Sequence, residues 1–153
     1  MTPARAGEWV ENEAELVAIA RDMRTVAVLG IKDESDPDAP AFNIPTLLAS
    51  EGVRIIGINP RVPEALGART LATVAELPPG VDVLDVFRRS SAIPAHADEL
   101  LALPPQRRPH VVWLQSGIRH DEAAARLAMG GYRVVQDRCL GVYSRRAGRR
   151  PAG

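Results

Sequence analysis

Five short apolar runs constrain this chain more than any other feature. They are "TVAVLG" at 25–30, "VRIIGIN" at 53–59, "VDVLDVF" at 81–87, "HVVWLQ" at 110–115 and "YRVVQD" at 132–137. They are rich in Val and Ile and mostly continuous rather than alternating. A strand with one wet face alternates; a strand covered on both faces does not, so these runs suit a parallel sheet between helices. Helical patterns fill most of the intervals. "NIPTLLASEG" offers Asn43 as an N-cap and Gly52 as a stop, and "SSAIPAHADELLAL" opens at Ser90 or Ser91 with Pro94 in its first turn. "HDEAAARLAMGG" carries a Glu122–Arg126 pair and ends in Gly130-Gly131. The second interval is thinner, with only "TVAEL", 73–77, able to make a helical turn or two. Ahead of the first run, Asn12 and Glu15 have capping-box spacing, and Leu16, Ile19, Ala20 and Met23 share one helical face. The implied fold class is α/β: a doubly wound parallel sheet of five strands, expected order 3-2-1-4-5, with an extra N-terminal helix. Ligands of such sheets bind at the C-terminal ends of the strands, where the winding reverses. That order puts the reversal between strands one and four, flanked by Gly30 and Gln115.

The chain's 153 residues fit one domain, 1–153, with a core over about 10–145 and a basic tail, 146–153, expected to fray. Lys+Arg equals Asp+Glu at 19 each, so no global field argues for nucleic acid or a membrane surface. No apolar run approaches the ~20 residues of a membrane span. The opening "MTPARAGEWVENEAE" has no apolar stretch after its charges, unlike a secretory signal. The one cysteine, Cys139, permits no internal disulfide, and the expected location is the reducing cytoplasm.

The ligand edge carries a charge pattern. Lys32, Arg61, Arg88 with Arg89, Arg119 and Arg138 follow the five strands in turn. Cations gathered on one edge of a neutral protein expect phosphate. The first loop, "GIKDESDPDAPAFN", has Gly30 alone where a dinucleotide fingerprint needs three glycines. A pyrophosphate can still rest on the helix start near Phe42–Ile44. Asp33, Glu34, Asp36 and Asp38 would oppose it unless they face away, and the sequence leaves their direction open. After strand two stand Asn59, Pro60 and Arg61, where a carboxylate for a free ribose diol is often found. Arg61 suits a ribose that itself carries a phosphate, as in NADP or coenzyme A. The missing glycines weaken NADP.

Five segments, "VAVLG", "VRIIGINPR", "VDVLDVFRRS", "VVWLQSGI" and "VVQDRCLGV", resemble in order and spacing the small stand-alone CoA-binding domain proteins. Those are similar in turn to the N-terminal CoA-binding domain of the succinyl-CoA synthetase α subunit. The resemblance spans about residues 10–145 and implies a Rossmann-like fold holding coenzyme A or an acyl-CoA across these loops. It implies that Gly30, Ile31 and Lys32 lie near the pyrophosphate, and Asn59, Pro60 and Arg61 near the adenosine and its 3′-phosphate. It further implies that Val86, Phe87 and Arg88 border the adenine side, while Gln115, Ser116 and Gly117 line the pantetheine path. A small hydroxyl residue often follows the first strand in such proteins; here Lys32 stands near that place and offers a direct charge contact or points away.

Catalysis finds little support. The succinyl-CoA synthetase reaction needs a phosphorylated histidine from a second domain. Of the histidines here, His96 lies within a helical pattern, His110 opens strand four, and His120 precedes a helix that its ring is able to cap. No cluster has metal-ligand spacing. Cys139 follows strand five beside Arg138, a neighbour that favours thiolate. It is either a packing residue or a thiol able to form a mixed disulfide with CoA. Trp113 and Phe87 lie within strands and read as core. The sequence thus favours a non-catalytic CoA-binding module. An NADP-binding regulator or a small CoA-dependent enzyme is the alternative, and protein partners are left open.

Overall fold

The structure, a computed structural model, describes residues 7–152. Helix α1 (Glu13–Asp22) leads into β1 (Thr25–Leu29), α2 (Pro40–Ser50) and β2 (Arg54–Ile58). A small hairpin of β3 (Glu64–Ala65) and β4 (Ala68–Arg69) and a 3-10 turn at Val74–Glu76 precede β5 (Val83–Val86). Then come α3 (Ile93–Ala102), β6 (Val111–Leu114), α4 (Asp121–Met129), β7 (Arg133–Val135) and α5 (Leu140–Arg146). The five apolar runs form the expected parallel sheet, in the order β2-β1-β5-β6-β7. Helices α1, α2 and α5 cover one face through Leu16, Leu48, Leu140 and Tyr143, packed on Val26, Val28, Val83 and Trp113. Helices α3 and α4 cover the other through Ile93, Leu100 and Leu127 on Leu29, Leu84 and Leu114. Each fully buried side chain of this size contributes about 1.5–3 kcal/mol.

The strand order corrects the expected 3-2-1-4-5. In terms of the five runs it is 2-1-3-4-5, because β5 pairs with β1 from Val26↔Val83 to Leu29↔Val86. Burial explains this. All four residues of β5 are buried, as a central strand requires, whereas β2 begins with exposed Arg54 and half-buried Ile55 and suits an edge. Asp82 locks the pairing: its carboxylate accepts from the Arg24 N–H (2.8 Å) and the Thr25 N–H (2.9 Å). The winding therefore reverses between β1 and β5, and Gly30 and Phe87, rather than Gly30 and Gln115, flank the reversal.

Each outer strand carries a short addition along part of its length. Beside β7, the Val10 N–H donates to Val134 O (2.8 Å) and the Val134 N–H to Glu8 O (2.9 Å). Beside β2, the Leu71 N–H donates to Gly57 O and the Asn59 N–H to Leu71 O. These short additions block edge-to-edge pairing.

Several local expectations change. Helix α2 starts at Pro40, so Asn43 is inside it and caps nothing. Pro suits the first helical position because its missing N–H would be free there anyway. Pro45, further in, cannot bond Ala41 O, and the Lys32 N–H takes that carbonyl instead (3.1 Å). A helix defect thereby fastens the β1–α2 loop. Arg126 does not pair with Glu122; it reaches Asp98 on α3. Asn12 caps α1 as expected, accepting from the Glu15 N–H (3.1 Å), and Leu16, Ile19, Ala20 and Met23 are all buried. The tail, expected to fray, has hydrogen-bond partners as far as Ala152. Residues 140–146 form α5, and the Arg149 guanidinium donates to Ala20 O (3.0 Å), Arg21 O (3.0 Å) and Met23 O, the free carbonyls at the end of α1. The Ala152 N–H donates to Ser50 O (2.8 Å).

Candidate functional site

The site is built where β1 and β5 leave the sheet. Gly30 holds φ +90°, and a Cβ there would lie 2.7 Å from Phe87 O, so the two strand ends approach as only glycine allows. Ile31 turns its side chain into the core, wholly buried, and presents only backbone; its carbonyl accepts from Asn59 Nδ2 (2.9 Å). Asn59 Oδ1 accepts from the Arg61 N–H (2.9 Å), so one buried amide ties the loops after β1 and β2.

Two adjoining cavities open on this edge. The larger, of about 590 Å³, is lined by Lys32 after β1, Phe87, Arg88 and Arg89 after β5, Gln115, Ser116 and Ile118 after β6 and Cys139 after β7, together with Ala39 and with Pro40, Ala41 and Ile44 of α2. The smaller, of about 200 Å³, is lined by Gly30, Lys32, Asn59, Phe87, Arg88, Arg89 and Ala92. Lys32, Phe87, Arg88 and Arg89 belong to both, so the cations stand at the junction.

Of the residues singled out from sequence, Gly30, Lys32, Asn59, Phe87, Arg88, Gln115 and Ser116 line these cavities. Val86 does not: it is 1% exposed and packs on the α3 side of the sheet, behind the site. Gly117 stands just outside, its N–H donating to Asp137 Oδ1 (2.6 Å). Pro60 and Arg61 are exposed beyond Asn59 and line neither cavity. Phe87 is half-buried, packing against the core on one side and lining both cavities on the other; Trp113 is core, its Nε1 donating to Arg138 O (2.8 Å). Of the cavity wall at α2, Ile44 fell within the helix start expected near a pyrophosphate at Phe42–Ile44, but the helix begins earlier, at Pro40, and Ala39, Pro40 and Ala41 were missed. Pro40 was the signal, since Pro marks a first helical turn and would have moved the helix start back to the cavity.

The edge cations divide into two groups. Arg119 pairs with Asp121 (2.9 Å) and lies over the Trp9 ring, and Arg138 donates to Gln136 O and Asp137 O. Among the described residues, Lys32, Arg61, Arg88 and Arg89 have no ion-pair partner. The Arg88 Nε is also buried without a hydrogen-bond partner, which costs free energy unless a ligand supplies an acceptor. Asp33, Glu34, Asp36 and Asp38 line neither cavity. Asp33 accepts from the Ser35 hydroxyl (2.5 Å) and N–H (2.9 Å), which hold its carboxyl below the usual range.

Gln115 is 4% exposed. Its Oε1 accepts from the Leu140 N–H (2.8 Å), while its Nε2 has no protein partner and lies at the cavity wall. One strand step beneath Phe87, on the same face, Asp85 is wholly buried with both carboxylate oxygens unpartnered. Burial pushes its carboxyl well above the usual range. The histidines are engaged elsewhere: His96 bonds Glu99 (2.8 Å), His110 lies 3.6 Å from Asp82, and His120 Nδ1 accepts from the Ala123 N–H (3.1 Å) to cap α4. Among the described residues no group of His, Cys, Asp and Glu is arranged to hold a metal ion, and no helix is long and apolar enough to cross a membrane.

Known proteins share this architecture. A Thermus thermophilus protein, solved as cell-free ID.343, superposes with a TM-score of 0.80 and is 42% identical, over 90% of this chain and 99% of its own. A hypothetical protein from Pyrococcus horikoshii OT3 shares the fold at a TM-score of 0.77 and 20% identity, over 96% of this chain and 97% of its own. The uncharacterized protein YneT of Bacillus subtilis (strain 168) is 31% identical over 131 residues, 86% of this chain and 93% of its own. The sequence pattern of the CoA binding domain matches residues 24–145, from the residue before β1 to the last turn of α5, and the chain belongs to that family.

Proposed function

We propose that this domain binds coenzyme A, or an acyl-CoA, along the C-terminal edge of its sheet. The observation that carries this reading is the polarity of the joined cavities. Lys32, Arg88 and Arg89, without ion-pair partners, stand at the junction, and the larger cavity leads from them to an uncharged end at Ile44, Ile118 and Cys139. Coenzyme A has the matching polarity, with phosphates toward one end and an uncharged pantetheine arm at the other. In this pose the pyrophosphate lies by Gly30, the Ile31 backbone and Lys32. The adenosine lies by Asn59, Phe87 and Arg88, with its 3′-phosphate toward Pro60 and Arg61. The pantetheine arm passes Gln115 and Ser116. Val86 and Gly117 support these loops without contacting ligand. Family membership supports the ligand class, and the unpartnered Arg88 Nε supports an acceptor at the junction.

The site residues bind and orient; they include no assembled nucleophile, base and orienting group for thioester chemistry. The test is ligand-dependent stability. A ligand at a hundred times its Kd adds about 2.7 kcal/mol to the native state. CoA is expected to raise the melting temperature and NAD to leave it unchanged. Stabilisation by NAD or NADP, with none by millimolar CoA, overturns the proposal.

A further inference from the structure

Resting on the CoA reading, we propose that Cys139 is a thiol–disulfide exchange site, at which the domain captures CoA disulfides as a mixed disulfide. Cys139 is partly exposed and forms part of the wall of the larger cavity; it follows β7, which the sheet order β1-β5-β6-β7 places two strands from β5, followed by Arg89, and three from β1, followed by Lys32. A CoA molecule with its phosphates at the cations therefore delivers its sulfur to the part of the cavity that holds the cysteine.

A second observation points to a ligand at that end. Gln115 is almost fully buried, its oxygen is committed to the Leu140 N–H, and its Nε2 faces the cavity without a partner. This donor is free to meet a ligand in the cavity, and the pantetheine arm carries amide carbonyls able to accept from it. The Gln115–Leu140 bond also holds the chain immediately after Cys139, so the donor and the thiol have a fixed relation.

The exchange is balanced. The Cys139 thiolate attacks one sulfur of a CoA disulfide, or of a mixed disulfide of CoA with a small thiol. A new S–S bond forms between Cys139 Sγ and the CoA sulfur. The old S–S bond breaks, and the departing thiol leaves as thiolate with the electron pair, taking up the proton that Cys139 lost to solvent. No external oxidant or reductant is consumed, and a free thiol reverses the step.

The test uses the full chain with CoA disulfide, glutathione disulfide or cystamine at equal concentration, followed by intact mass. The expected result is one CoA adduct per chain, absent in Cys139→Ser, forming at least about tenfold faster than either other adduct because binding raises the local disulfide concentration. Gln115→Glu keeps the acceptor for the Leu140 N–H but removes the donor, and is expected to lower that preference. Equal rates with all three disulfides would mean a merely accessible thiol and overturn the proposal. Labelling only after unfolding overturns it as well. Melting curves with reduced CoA separate the two levels. Stabilisation by CoA without an adduct sinks the exchange site and leaves the binding proposal standing; no stabilisation sinks the binding proposal itself.

Discussion

The two ends of the sheet are built from the same residue types and treat charge differently. At the end where the strands begin, several charges are matched, although Arg24 and Arg54 there have no ion-pair partner among the described residues. Asp82 accepts from two backbone N–H groups, Arg133 bonds Glu8 (3.1 Å), and Arg149 closes the carbonyls that end α1. A cavity of about 240 Å³ exists there too, but acids border it, Glu15, Asp22 and Asp82 among them. At the end where the strands finish, Lys32, Arg88 and Arg89 face cavities without acidic partners. Concavity alone therefore does not mark the site. Under the CoA proposal the difference lies in cations that line a cavity without an acid beside them, since such cations are free to meet a phosphate.

The largest expected effect tests that contrast directly. Arg88→Ala combined with Arg89→Ala removes two charge-assisted phosphate contacts, each worth about 1.5–3 kcal/mol. CoA affinity should fall by roughly two to four orders of magnitude. Without ligand, the melting temperature should hold or rise, because like charges have been removed. A double variant that melts early and still binds CoA would place these arginines with the structural set and break the comparison.

Asp85 is the exception within the binding half, a charge-capable group that is neither matched nor exposed. Its folded-state pKa is raised by burial, so the folded chain keeps a proton that the unfolded chain releases. The sign follows. The stabilisation is fully present below the unfolded carboxylate pKa of about 3.9 and is lost as pH rises toward the folded value. Over that window stability falls by at most about 1.4 kcal/mol per pH unit. Asp85→Asn cannot ionise, so its urea-unfolding free energy should gain on wild type from pH 5 to pH 8. Parallel curves for the two proteins would mean that Asp85 is not held protonated by burial.

Arg149→Ala probes the structural set. It strips three carbonyls of a charged donor and should cost roughly 2 kcal/mol of stability, with CoA affinity unchanged once the variant is folded. A loss of affinity equal to that of the Arg88/Arg89 pair would show that the two ends of the molecule are coupled.

What the sequence made legible follows the same division. Continuous Val/Ile runs reveal buried strands because burial on both faces leaves no room for alternation, and all five strands lie where those runs stand. Their order was not legible. It depends on Asp82 meeting the Arg24 and Thr25 backbone, a contact between residues 58 and 57 positions apart that no local pattern announces. Lys32, Arg88 and Gln115 could be placed on the C-terminal edge of the sheet from strand polarity alone. Val86 could not be excluded that way, since alternation along a fully buried strand shows no polar face. The orphaned Arg88 Nε and Gln115 Nε2 were equally invisible, because a missing partner is a property of the assembled neighbourhood. Arg119 and Arg138 looked equivalent to Arg88 in sequence, and only the fold shows them bonded to Asp121 and to backbone carbonyls.

Arg61 carries the smallest expected effect and gives the sharpest reading of the ligand. It follows Asn59 and Pro60, and its backbone, not its guanidinium, is what Asn59 holds. The side chain is exposed and without an ion-pair partner among the described residues. Solvent screens such a charge, so a contact with the ribose 3′-phosphate should contribute only about 0.5–1 kcal/mol, a twofold to fivefold change in Kd. Dephospho-CoA lacks that phosphate. Wild type should therefore bind CoA a few-fold better than dephospho-CoA, and the preference should shrink as salt rises. Arg61→Ala should weaken CoA binding by the same small factor and leave dephospho-CoA unchanged, and comparing the four dissociation constants isolates the coupling. Equal losses for both ligands would make Arg61 a support of its loop. A preference for CoA that survives in Arg61→Ala would move the 3′-phosphate inward to Lys32 or Arg88, and the binding half of the molecule would then end at Asn59.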